Sequence, residues 1–208
     1  MNRFAVSILL FAFLLAAVGC SGSPPPVSKK GDDKKSETKQ ASTGTLVVTA
    51  DKLPALGEAL EGLDEGRLSV RGPEGWRLQP RGKNYLAKYA LSDKSPFPQV
   101  IVTGYDSPEP ADLTEENAAS YAEARQAELL NEVKKATIGQ DFRPIKLPNA
   151  TGVFYIRKAV IEEILVERVI ITLIKGGHRY DVETRSVPAN IQDFEKFGQA
   201  VANGLEWK

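Results

Sequence analysis

The chain has 208 residues, and its 27 Lys+Arg are balanced by 27 Asp+Glu. That balance argues against a general nucleic-acid binder, which carries a basic excess or stripe. Met1, Cys20 and His178 are each alone of their type, so a site needing several His, Cys or Met ligands is excluded.

Arg3 precedes an uncharged apolar run from Phe4 to Val18, and Ala17-Val18-Gly19 lead into Cys20. A run of about fifteen apolar residues is shorter than the roughly 20 that span a bilayer, and it suits a cleavable signal segment. The segment is similar to bacterial lipoprotein signals, in which the cysteine thiol takes a diacylglycerol and becomes the first residue of the mature protein. The resemblance implies cleavage before Cys20, a membrane anchor through lipid on Cys20 (palmitate among its acyl chains), and a periplasmic domain in the bacterial cell envelope. Ala17 stands where lipoboxes usually carry Leu. An ordinary signal peptide cut after Ala17 or Gly19, and an uncleaved anchor, are the competing readings. Ser21 permits an outer-membrane destination under the enterobacterial sorting rule. With Cys20 acylated no thiol is left for a disulfide, so stability must come from an apolar core.

Four regions follow: a signal peptide at 1–19, a lipidated Cys with a disordered tether at 20–43, an N-terminal extension at 44–66, and an α/β domain at 67–208. From Ser21 to Thr43 only Val27 and Ala41 are apolar, too few to offset chain entropy. Pro24-Pro25-Pro26 stiffen its start. Such a linker holds the domain about 25–30 Å from the membrane. Its lysines can touch anionic headgroups, though a solvated spacer is the simpler reading.

Thr45 to Thr49 is β-prone. Leu56, Ala59, Leu60 and Leu63 are at helical spacing and predict a short helix, weakened by Gly57 and Gly62. Strands are expected at Arg67–Arg71, Trp76–Gln79, Tyr85–Leu91 and Gln99–Tyr105, with a turn at Gly72-Pro73-Glu74-Gly75 between the first two. A long helix is expected over Thr114–Ala136. Thr114 is its N-cap, Ala118, Tyr121, Ala122, Leu129, Val133 and Ala136 its buried stripe, and Gly139 its stop. Asn117 sits where Glu or Gln would complete a capping box.

A strand is expected at Thr151–Ile161. Ile164–Lys175 and His178–Ser186 then flank Gly176-Gly177, a hairpin signal because glycine allows positive φ at both turn positions. A two-residue turn sets Lys175 opposite His178, Leu173 opposite Tyr180, Ile171 opposite Val182 and Val169 opposite Thr184. The other face pairs Ile174 with Arg179, Thr172 with Asp181 and Ile170 with Glu183. Phe194, Phe197, Val201 and Leu205 mark a closing helix over 190–205, capped by Asn190, with Trp207 sealing its end.

The predicted fold class is α+β, an antiparallel β-sheet flanked by helices. Three features carry a resemblance to a family: Pro73-Glu74-Gly75-Trp76 leading into a strand, Tyr180-Asp181-Val182 after the Gly176-Gly177 hairpin, and Phe194, Phe197 and Val201 on the last helix. Together they resemble the PsbP-like (DcrB-like) α/β/α sandwich, over roughly 67–206. The resemblance implies an accessory or protein-binding module and transfers no active-site residue.

His178 is the only candidate general base for chemistry near neutral pH, and a hairpin position favours solvent exposure over catalysis. Asp181 and Glu183 share a strand face with Arg179 and Arg185, which reads as a charge-balanced sheet surface. Glu162 and Glu163 are adjacent and would point opposite ways in a strand. Ser69, Ser92 and Ser120 have no motif around them, and no phosphate loop, nucleophile elbow or metal spacing appears. No catalytic, cofactor or metal residue is therefore assigned. The functional expectation is a non-enzymatic, envelope-anchored lipoprotein that binds a membrane through Cys20 and a protein partner, but no nucleic acid. A small-ligand carrier or hydrolase is the alternative.

Overall fold

The computed structural model describes residues 44–106, 110–132 and 141–208, without the side chains of 131 and 132. The signal segment, Cys20 and the tether lie outside the described residues, as do Val133, Ala136 and Gly139 of the expected long helix.

The strands are β1 Leu46–Val47, β2 Leu56–Leu63, β3 Leu68–Pro73, β4 Arg77–Leu78, β5 Ala87–Ala90 and β6 Gln99–Asp106. After helix α1, Ala118–Glu132, come β7 Arg143–Lys146, β8 Thr151–Ile161, β9 Ile164–Lys175 and β10 His178–Ser186, then α2 Ile191–Asn203 and β11 Glu206–Trp207. Eight strands form one sheet in the order β1-β7-β8-β9-β10-β6-β5-β4, and β11-β3-β2 form a second. All neighbours are antiparallel except β1 and β7.

The β9–β10 hairpin has the register its two glycines dictate, from His178↔Lys175 through Thr184↔Val169. Gly176 and Gly177 have φ of 58° and 75°, which a two-residue turn of the right twist requires. The even-numbered face of β10 packs Tyr180 and Val182 with Leu173, Ile171, Val201 and Leu205 into the larger core. Helix α2 and the small sheet cover this face. Trp76 joins it to α2, with ring centroids 5.1 Å from Phe197 and 6.3 Å from Phe194. The opposite face carries a second core, in which Ala122 and Leu129 of α1 meet Val153, Tyr155, Ile170 and Ile174.

Several expectations are corrected. Leu56–Leu63 is a strand of the small sheet, not a helix. Register irregularities between Leu56 and Ala59 and between Leu60 and Leu63 stretch its inward spacing past two, which imitates helical period. The Pro73–Trp76 turn does not close a hairpin, because β3 and β4 belong to different sheets. Helix α1 starts at Ala118, after a turn over 115–117. Asn117 does reach back, its Oδ1 accepting from the Thr114 N–H at 2.8 Å, so asparagine performs the reciprocal half of the capping box. Helix α2 ends at Asn203, and Trp207 lies in β11 beside Leu68.

Glu162 and Glu163 are not in a strand. They form the two-residue turn between Ile161 and Ile164, with φ of 50° and 67°. L-residues are strained there by about 1 kcal/mol or more each. Replacing them by Asn-Gly is expected to raise stability by about 1 kcal/mol, read as a shift of the urea midpoint at constant m-value. An unchanged or lowered midpoint would contradict the turn.

Candidate functional site

The residues singled out from sequence fall on two sides of one sheet. Side chains alternate along β10, so His178 points one way and Asp181 and Glu183 the other. His178 Nδ1 lies 3.4 Å from Asp106 Oδ1, at the end of the larger core. Nearby, the Tyr180 hydroxyl donates to Asp64 Oδ2 at 2.6 Å, and Arg67 Nη2 donates to Asp64 Oδ1 at 3.1 Å. The imidazole therefore does not combine with the two β10 carboxylates.

The face holding Asp181 and Glu183 is not an open surface, as the alternation had suggested. Helix α1 packs over β7 and β8, and Ile170, Ile174 and Tyr155 form its floor. Glu183 is buried and its two oxygens accept from Arg168 and Arg185, Arg168 Nη2 lying 2.6 Å from Oε2. Burial raises its pKa, but the hydrogen bonds and charges of the two guanidinium groups outweigh that and hold it below the ordinary carboxylate range. Asp181 accepts from Thr172 Oγ1 at 2.7 Å and faces Arg179 Nε at 3.6 Å. Here burial wins, and its pKa is raised despite Arg179, Thr172 and Arg125. Arg179 also stacks over Tyr105 at 4.3 Å. Tyr155, at the centre of this layer, is pushed up to about 12, chiefly by burial.

Two carboxylates two residues apart thus titrate in opposite directions, a pattern found at catalytic sites and in structural ion networks. Glu183 stays ionised and saturated by arginines, so it is a fixed charge rather than a proton acceptor. The sequence signal for burial was present: Ile170 and Ile174 alternate with Thr172 on β9, an apolar stripe on the supposedly wet face.

Two other features are accessible. A cleft of about 510 Å³ has Leu147, Leu173 and Trp207 in its lining, with Lys146 and Lys175 among its charged groups. Lys146 pairs with Glu115 at 2.6 Å, and Lys175 with Asp112 at 3.6 Å. The cleft includes none of His178, Asp181 and Glu183. The second feature is the β8–β9 tip. Pairing to β7 stops at Phe154 and pairing to β10 at Glu167, so among the described strands the end of the hairpin stands alone. Val160, Leu165 and Ile164 on it are 70%, 51% and 37% exposed.

Among the described residues, no group of three or more His, Cys, Asp or Glu side chains could hold a metal ion. No helix among them is long and apolar enough to cross a membrane.

No protein-family model and no curated protein matches the chain. Among solved structures it is similar to cyanobacterial PsbP (CyanoP) from Synechocystis sp. PCC 6803, with a TM-score of 0.51 and 7% identity over 77% of this chain and 97% of that one. It is also similar to a protein from Bacteroides thetaiotaomicron VPI-5482, with a TM-score of 0.50 and 12% identity, covering 73% of this chain and 48% of that one. The chain therefore spans about half the length of the Bacteroides protein. At these identities the likeness is one of fold: the described residues have the PsbP-like architecture, a mixed α+β unit with a large sheet and two helices.

Proposed function

We propose that this chain is an envelope-anchored lipoprotein whose domain is a non-enzymatic module that binds a protein partner through the β8–β9 tip. The observation that carries this reading is the exposed apolar cross-strand pair of Val160 and Leu165, with Ile164 exposed on the opposite face, on a hairpin that outruns its neighbours. A preformed two-stranded projection loses little further freedom on docking, and exposed apolar groups held together mark contact sites. Glu162 and Glu163 at the apex define the occupant's chemistry. An apolar groove with a basic rim complements them, whereas an anionic lipid surface repels them. Photo-crosslinking from the tip in intact cells tests this half, with a shared adduct from positions 160 and 165 as the expected result.

Anchoring through Cys20 is the other half, motivated by a lone thiol directly after an apolar run with small residues before it. Intact mass of the membrane fraction is expected to show a chain beginning at Cys20 plus diacylglycerol and acyl mass. Cys20→Ala is expected to leave the membrane fraction with its thermal transition unchanged. A free thiol at Cys20, or a mature terminus elsewhere, would reject the anchor.

The competing reading, a small-ligand carrier or hydrolase, has the 510 Å³ cleft as its place. Since His178, Asp181 and Glu183 all lie outside it, that reading rests on the cleft's lysines and apolar floor.

A further inference from the structure

Arg157, Arg168 and Arg185 are direct cross-strand partners on β8, β9 and β10, in one row on the face that also carries Asp181 and Glu183. Strand spacing of about 4.8 Å places the three stems within roughly 10 Å of one another. Like charges directly opposite each other destabilise a sheet. This row holds two such pairs side by side. Glu183 answers only part of the charge, because both its oxygens are shared between Arg168 and Arg185. Arg157 Nε is buried and has no hydrogen-bond partner among the described residues. Gln99 stands opposite Arg185 on β6 and extends the row with an amide. Arg168 and Arg185 remain 22% and 25% exposed, so the row can be reached from solvent.

We propose that this row is a binding site for a phosphate-class oxyanion, either free phosphate or the phosphomonoester headgroup of a lipid. Three guanidinium groups less one carboxylate leave a formal charge of +2, which matches the charge of about −1.5 to −2 that a phosphomonoester carries at neutral pH. A single carboxylate ligand would leave about half of it unanswered. Guanidinium forks also fit phosphate oxygens two at a time, and an uncommitted Nε on Arg157 is the donor such a ligand would take up. The site is independent of the hairpin reading. Its failure would leave the tip contact standing, and the reverse holds.

The test is thermal unfolding of the full chain, kept in a neutral detergent, at constant ionic strength. Chloride is exchanged for millimolar phosphate, below the range where phosphate acts by exclusion from surfaces. The midpoint is expected to rise with phosphate and to saturate, as linkage to a site requires. Arg157→Gln is expected to raise the midpoint in chloride, because it relieves the opposition to Arg168, and to abolish the phosphate increment. Dihexanoyl phosphatidic acid in place of phosphate separates the two sources. A rise with both shows that the free anion suffices, and a rise with the lipid alone assigns the headgroup. No saturable rise with either, or an increment kept in full by Arg157→Gln, overturns the site. Should the variant fail to fold, calorimetric titration of the unaltered chain decides, and no saturable heat with phosphate or the lipid overturns it.

Discussion

Glu183→Gln is expected to destabilise the protein by about 3 kcal/mol, read from urea unfolding at neutral pH. Removing one partner from a buried ion pair costs about 3–5 kcal/mol, because the remaining charge is left without an answer. Arg168 and Arg185 are 22% and 25% exposed, which places the effect at the lower end. The pH dependence identifies the cause. Glu183 has a folded pKa below its ordinary value of 4.5. It therefore contributes stability that is present above that value and lost as pH falls through the folded one. Glu183→Gln is expected to lose this acid-side slope. Asp181 works with the opposite sign: its raised folded pKa means that protonation favours the folded state as pH falls towards 3.8. A Glu183→Gln variant as stable as the parent, with the same acid limb, would show that the arginines do not depend on it.

Replacing Val160 and Leu165 together by Ser is expected to weaken the partner contact by roughly one to two-and-a-half orders of magnitude while leaving the domain folded. Each fully buried aliphatic side chain is worth about 1.5–3 kcal/mol, and about 1.4 kcal/mol is tenfold in affinity. In the free protein Val160 is 70% exposed and Leu165 51%, so the cost in folding stability is expected to be only about 1–2 kcal/mol. The readout is the amount of partner retained by the variant and by the parent under identical crosslinking. Undiminished retention by the folded variant would place the contact elsewhere.

Where the chain carries long β-branched runs, its fold is legible without coordinates. Thr151–Ile161, Ile164–Lys175 and His178–Ser186 have the bounds read from sequence, and Gly176-Gly177 fixes the register of the last two. Short or interrupted segments are not legible. β7 is four residues long and contains Pro144, and β11 is two residues, so neither has a period to detect. β2 misleads because its irregular pairing spaces Leu56, Leu60 and Leu63 like a helix face. The Glu162-Glu163 turn lacks the glycine or asparagine that normally announces positive φ. The charged face fails for another reason. Alternation says which residues share a side of the sheet, but only the packing of α1 across β7 and β8 says that this side is covered. The candidate features share that origin. The hairpin tip appears only when neighbouring strands end early, and the arginine row only when the registers of three strands are read together.

The claim that this domain works by contact through its hairpin tip is tested most directly by site-specific photo-crosslinking in intact cells. A photoreactive residue is placed singly at 160, at 165 and, as a control, at Glu123, an exposed position on α1. One discrete adduct is expected from both tip positions, containing the same partner protein by mass spectrometry and absent from the control. It is also expected to disappear from position 160 when Leu165 is Ser. No adduct from the tip, or the same adducts from the tip and Glu123, would contradict the account.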